Sequence, residues 1–200
     1  MKVNRRFFLQ FVLSLLFVAN KNQLFSKSQS RIENIINLQN YSESDFYSSD
    51  VYENNIYIPI YSKHTILAID LSTSKIINID LPLKSTPDII LYNQEYGIFV
   101  GCANSTPPLL IKNPQSNQIE SRFLFEESSS FYASSIKASS SGKKVFIGNL
   151  IGNPIIFFND QIYKMNNLFL SEFGCYDAVW ITENNLLISS LTGNKVYLVN

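Results

Sequence analysis

One pattern constrains this chain more than any other: the same pair of strands recurs about every 43 residues. Four short apolar runs, IYIPIY from Ile56, IFVGCA from Ile98, VFIGNL from Val145 and LLISSL from Leu186, start 42, 47 and 41 residues apart. Each is preceded by a candidate strand: FYSSDVYE ending at Glu53, DIILY from Asp88, SIKAS from Ser135 and DAVWI from Asp177. Polar turns join the two. They are Asn54-Asn55, Asn93-Gln94-Glu95, Ser140-Ser141-Gly142-Lys143 and Glu183-Asn184-Asn185. Asn and Gly there tolerate the left-handed backbone of tight hairpins.

Third strands follow at 65–71, 109–113, 154–159 and 195–200, and fourth strands run to Leu81, Phe125 and Leu170 in three of the units. The predicted unit is a four-stranded antiparallel sheet. A repeat of 40 to 50 residues matches one propeller blade. Such a sheet has two apolar faces and cannot bury both alone, whereas radial stacking buries them against neighbours. In TILAID, from Thr65, nearly every position is apolar, as a strand buried on both sides requires. The 15 Phe and 11 Tyr suit strands and flat packing between sheets. The expected class is all-β, a β-propeller of about four four-stranded blades, either a small closed ring or part of a larger one. A β-sandwich of hairpins is the alternative. Residues 32–38 (IENIINL) are a further strand candidate; paired with the last unit they would complete a fourth blade and tie a small ring shut. An arc with bare edges would instead pair with another chain.

Residues 56–103 resemble the YVTN-type propeller repeat, which overlaps with NHL-type and WD40-like blades. Ile56-Tyr57-Ile58-Pro59, then Ile66-Leu67-Ala68-Ile69-Asp70 with the Ser72-Thr73 turn, then 76–82, follow the family order, and Pro87-Asp88 opens the next unit. The second and third units match it less well. The resemblance covers residues 32–200 and implies a propeller with a ligand-binding loop face.

The first 27 residues read differently. Lys2, Arg5 and Arg6 precede an apolar run from Phe7 to Ala19, and polar residues follow. That order marks an export signal, and the run is short for a membrane span. Asn4-Arg5-Arg6-Phe7-Phe8-Leu9-Gln10 resembles the twin-arginine export motif, carried by Arg5, Arg6, Phe8 and Leu9; Asn4 and Gln10 depart from it. The resemblance implies recognition by export machinery and a destination in the periplasm or thylakoid lumen. An ordinary secretory signal, or an uncleaved membrane anchor, is the other reading. The expected organisation is therefore a signal or anchor at 1–27 and a propeller domain at 28–200.

Sixteen basic residues balance sixteen acidic ones over the whole chain. Without residues 1–27 the remainder holds eleven basic and sixteen acidic, a formal charge of −5. A general electrostatic grip on nucleic acid or anionic membranes is excluded.

Chemistry-bearing residues are few. His64 is the only histidine and falls in a bend expected to be exposed, so a histidine-rich metal site is excluded. Neither a G-x-S-x-G elbow, a phosphate loop nor a dinucleotide fingerprint occurs. Asp88 and Asp177 align at the starts of innermost strands, with Asp45 and Ser135 in about the same register. These four are the candidates for the mouth of a central channel, and Asp88 and Asp177 are the weak candidates for a cation such as calcium. Capping of tight turns is their ordinary alternative role. Cys102 and Cys175 form either a disulfide or two buried thiols. No other cofactor is expected.

These observations favour a non-enzymatic binding or scaffold propeller outside the cytoplasm, taking a protein or small molecule on its loop face. Two alternatives stand beside it. One is a propeller enzyme, a metal-dependent lactonase-like hydrolase or a quinone-dependent dehydrogenase; the other is a degenerate propeller of slight activity.

Overall fold

Alternation of apolar and polar residues, with Asn- and Gly-bearing turns, divides the chain into short strands, and the computed structural model forms them where the repeat places them. It describes residues 46–82, 85–103, 107–112, 120–124, 131–165, 174–191 and 195–200. All lie in the compact unit Leu38–Asn200.

Fifteen strands are described. The first sheet holds β1 (Asp50–Tyr52), β2 (Asn55–Ile60), β3 (Thr65–Asp70) and β4 (Ile76–Asp80). The second holds β5 (Pro87–Asn93), β6 (Gly97–Cys102), β7 (Leu109–Lys112) and β8 (Glu120–Phe123). The third holds β9 (Ala133–Ala138), β10 (Lys144–Asn149), β11 (Ile155–Phe158) and β12 (Gln161–Lys164). The fourth holds β13 (Cys175–Trp180), β14 (Leu186–Ser190) and β15 (Val196–Val199). Each sheet is an antiparallel meander in chain order, four-stranded in the first three and, among the described residues, three-stranded in the last. These are the blades of a β-propeller.

The core lies between blades. Tyr57, Ile66, Ala68 and Ile79 of the first blade meet Ile98, Val100, Leu109 and Ile111 of the second. On the far side of that second blade, Phe99 and Leu110 meet Val145, Ile147, Ile155 and Phe157 of the third. Phe146 then meets Ala178, Leu186 and Ile188 of the fourth. Neighbouring positions on β6 and β10 thus point into different seams, the two-residue period of a strand buried on both faces. Burying a large aliphatic side chain contributes about 1.5–3 kcal/mol, so these seams are the main source of stability.

Polar bonds cross the same seams. Ile90 N donates to Ser48 Oγ at 3.0 Å and Tyr92 N to Asp50 Oδ2 at 2.6 Å, in both cases from 42 residues away. Trp180 Nε1 donates to the Lys137 carbonyl at 3.0 Å across 43 residues. The repeat period is therefore also the separation of the groups that tie one blade to the next.

The blades pack on one another in chain order, first on second, second on third and third on fourth. The outward face of the fourth stands in solvent: Val179 is 57% exposed, Leu198 59% and Val196 66%. The proposed closing strand at 32–38 lies outside the described residues, as do the export segment with Arg5, Arg6, Phe8 and Leu9, and Asp45.

Candidate functional site

The innermost strands line the propeller axis, and their register decides which side chains meet there. In β5 the pairing passes from Ile89 opposite Gly101 to Pro87 opposite Cys102, leaving Asp88 as an extra residue. β13 does the same between Asp177 and Cys175, leaving Tyr176 over. In β9, Ser134 and Ser135 together oppose Gly148. Three successive blades carry a bulge at the same point, a device that re-aims side chains at a sheet rim.

The bulges change the expected alignment. Ile90, Ile136 and Ala178 pair with the equivalent Val100, Ile147 and Ile188. One residue earlier stand Ile89, Ser135 and Asp177; one earlier again, Asp88, Ser134 and Tyr176. Asp177 and Ser135 share a register as expected, whereas Asp88 is displaced by one position.

Their environments differ too. Asp88 is half-buried, and loss of water around it raises its carboxyl above the usual range. Ser135 is 5% exposed, and its Oγ has no hydrogen-bond partner. Asp177 is exposed; it accepts from Ala178 N at 2.8 Å and pairs with Lys137 Nζ at 3.4 Å. Among the described residues no three His, Cys, Asp or Glu side chains form a group able to hold a metal ion.

Cys102 and Cys175 are free, buried thiols, not a disulfide. They lie in blades two and four, with the third blade between them, and belong to different core clusters. Burial pushes both thiols up to about 12. His64, expected to be exposed, is half-buried at a left-handed turn position, where Nδ1 hydrogen-bonds the Ser85 carbonyl.

A second concavity was not anticipated. A cleft of about 350 Å³ opens along the seam of blades three and four, with Phe158, Tyr163 and Trp180 among its walls and Lys144 and Asn184 on its rim. Lys144 Nζ is held at 2.7 Å from Asn184 Oδ1 and 3.2 Å from the Glu183 carbonyl, and sits 5.9 Å from the centre of the Phe158 ring. An ammonium fixed beside aromatic walls suits a flat apolar ligand carrying an anionic or carbonyl oxygen. The only sequence sign was the aromatic content of 154–163 together with Trp180.

Solved structures similar to this chain share its architecture. Virginiamycin B lyase from Staphylococcus aureus superposes with a TM-score of 0.56 at 16% identity, over 78% of this chain and 56% of the lyase. The extracellular domain of the hybrid two component system BT4673 from B. thetaiotaomicron gives 0.58 at 15% identity, over 78% of this chain and 21% of that one. The β-propeller domain of Myceliophteria thermophila Cps50 (Swd1) gives 0.54 at 11% identity, over 72% and 50%. The chain thus spans little more than half the length of the lyase. At these identities the likeness is one of fold. No protein-family model matches the chain, and no curated protein matches it either.

Proposed function

We propose that this chain is a non-enzymatic binding propeller working outside the cytoplasm, with the cleft between blades three and four as its ligand site. The observation that carries the reading is the fixed Lys144 ammonium beside the walls of Phe158, Tyr163 and Trp180. Such a site takes a small planar aromatic or apolar anion. The twin-arginine-like residues Arg5, Arg6, Phe8 and Leu9 support the location, as does the likeness to an extracellular propeller domain. A YVTN/NHL-type repeat is the blade type that the sequence of 56–103 supports.

Trp180 is the sole tryptophan, so its emission reports on the cleft directly. Titration with 2-naphthoate is expected to quench it saturably, and Lys144→Met and Tyr163→Ala each to weaken that binding about tenfold. Quenching that never saturates, or that both variants leave unchanged, overturns the assignment. For the location, replacing Arg5 and Arg6 by Lys in a bacterial export assay is expected to hold the protein in the cytoplasm.

A further inference from the structure

Two phenol rings meet across the first seam. Tyr52 ends β1 in blade one, and Tyr92 stands in β5 of blade two. Their rings stack with centroids 3.7 Å apart and planes 11° from parallel. Aromatic pairs ordinarily prefer an offset or edge-on arrangement with centroids about 4.5–7 Å apart. The other described tyrosine pairs follow that preference: Tyr57 meets Tyr92 at 5.6 Å, and Tyr47 meets Tyr61 at 5.5 Å and 62°. Tyr52 and Tyr92 are thus held face to face, closer than the rings alone would choose.

The fold supplies the restraint. Asp50 Oδ2 accepts from Tyr92 N at 2.6 Å, which ties the backbone of one ring to the strand that carries the other. Tyr57, 1% exposed, backs Tyr92 with its own ring. Tyr52 and Tyr92 pack on the same core cluster and are themselves half-buried, so part of each ring meets solvent. Their hydroxyls are near enough for the ionisation of each phenol to depend on the other. The rings therefore point the same way, and the carbons beside the hydroxyls face one another. Neither ring belongs to the cleft or to the bulges of the inner strands.

We propose that Tyr52 and Tyr92 are a dityrosine site, joined carbon to carbon when a one-electron oxidant (a haem peroxidase with hydrogen peroxide) acts on the first seam. Each phenol gives up one electron and one proton. The two phenoxyl radicals share their unpaired density with the carbons ortho to oxygen, and there they combine. The hydrogen on each joined carbon then moves to oxygen, restoring both phenols. Two hydrogen atoms leave in all, and one peroxide takes them up as two waters. The stacked rings open about the new bond, which their half-exposed setting permits. The product is a covalent tie between blades one and two that closes a loop of chain, as a disulfide would.

The test uses the full chain, dilute, with a haem peroxidase and one equivalent of hydrogen peroxide. The monomer band of a denaturing gel is expected to gain the blue emission of dityrosine and to lose two hydrogens in mass. Tyr52→Phe and Tyr92→Phe keep a stacked ring and lack the hydroxyl. Each is expected to lower the monomer's emission at least about tenfold, because a held pair couples far faster than a chance encounter. Tyr47→Phe, which alters an exposed edge-on pair, is expected to leave it unchanged. The coupled protein is also expected to unfold at a higher urea concentration than the untreated one, since the tie restricts the unfolded chain. A monomer that gains no emission, emission that survives either variant at position 52 or 92, or emission that is lost with Tyr47 overturns the proposal.

Discussion

Ser139 Oγ donates to Glu183 Oε1 at 2.8 Å, joining the first turn of blade three to the first turn of blade four. Ser141 adds two more bonds to the same carboxylate, from Oγ at 2.7 Å and from its backbone N–H at 3.0 Å, and Ser140 Oγ adds one at 3.1 Å. Donors that converge on an anion favour its charged form. The hydroxyl of Ser141, then that of Ser139, pull Glu183 down from its ordinary 4.5 to about 2. Since the folded value lies below the unfolded one, the stabilisation is complete above pH 4.5 and fades as pH falls toward 2. Glu183→Gln is expected to lower the melting temperature by a few degrees at pH 7. It should also flatten the acid limb of a melting-temperature profile between those two values. An acid limb as steep as that of the wild type contradicts the assignment.

Asp50 ties the first seam in the same manner. Its carboxylate accepts from Tyr92 N across the seam at 2.6 Å and from Val51 N at 2.8 Å. Beside it Tyr52 and Tyr92 stack with centroids 3.7 Å apart. Burial raises the Asp50 carboxyl, against the opposing effect of these two N–H donors. Asp50→Ala strands both donors and is expected to cost about 1–3 kcal/mol in urea unfolding. Asp50→Asn retains one acceptor oxygen and should cost less. Equal losses for the two variants would mean that the one acceptor oxygen kept by Asn contributes nothing, and would contradict the hydrogen-bonding role assigned to Asp50.

The blades were legible in the sequence because second strands such as IFVGCA and VFIGNL are apolar on both faces, and only a sheet packed on both sides asks for that. The register of the inner strands was not. A bulge adds one residue without altering composition, so Asp88 and Asp177 look equivalent in sequence and stand one position apart in the fold. Partners across a seam were hidden for another reason. Ser139-Ser140-Ser141 reads as a polar turn, and its role emerges only when the stacking brings Glu183, more than 40 residues away, against it. The cleft beside Trp180 depends on how the fourth blade lies against the third, which no local pattern records.

The two thiols offer a direct chemical check. Cys102 is 0% exposed and Cys175 is 0% exposed, and both are pushed up to about 12. Thiolate is the reactive form, so at pH 8 neither is expected to react with a disulfide reagent in the folded protein. Both should react at once in guanidinium without prior reduction. A count of zero in denaturant would mean that the pair had oxidised to a disulfide.

Gly97 makes the sharpest demand on its residue. The Asn93 side chain folds the preceding turn, Oδ1 accepting from Glu95 N at 2.9 Å and from Tyr96 N at 3.0 Å. That turn delivers the chain to Gly97 with φ of +107°, a conformation that side chains rarely adopt. An added Cβ would lie 2.2 Å from the Ile111 carbonyl oxygen on the adjacent strand, and backbone cannot swing aside as a flexible side chain can. The strand must either shift or lose its pairing between Ile98 and Ile111, both fully buried in the first seam. Gly97→Ala is therefore expected to destabilise the protein by more than about 3 kcal/mol. Gly142→Ala serves as the control: φ there is +75°, but the added Cβ meets only the Asn93 Nδ2 at 3.5 Å, so its cost should be about 1–2 kcal/mol. Urea denaturation of the two variants side by side separates steric collision from backbone strain, and similar losses would refute the collision.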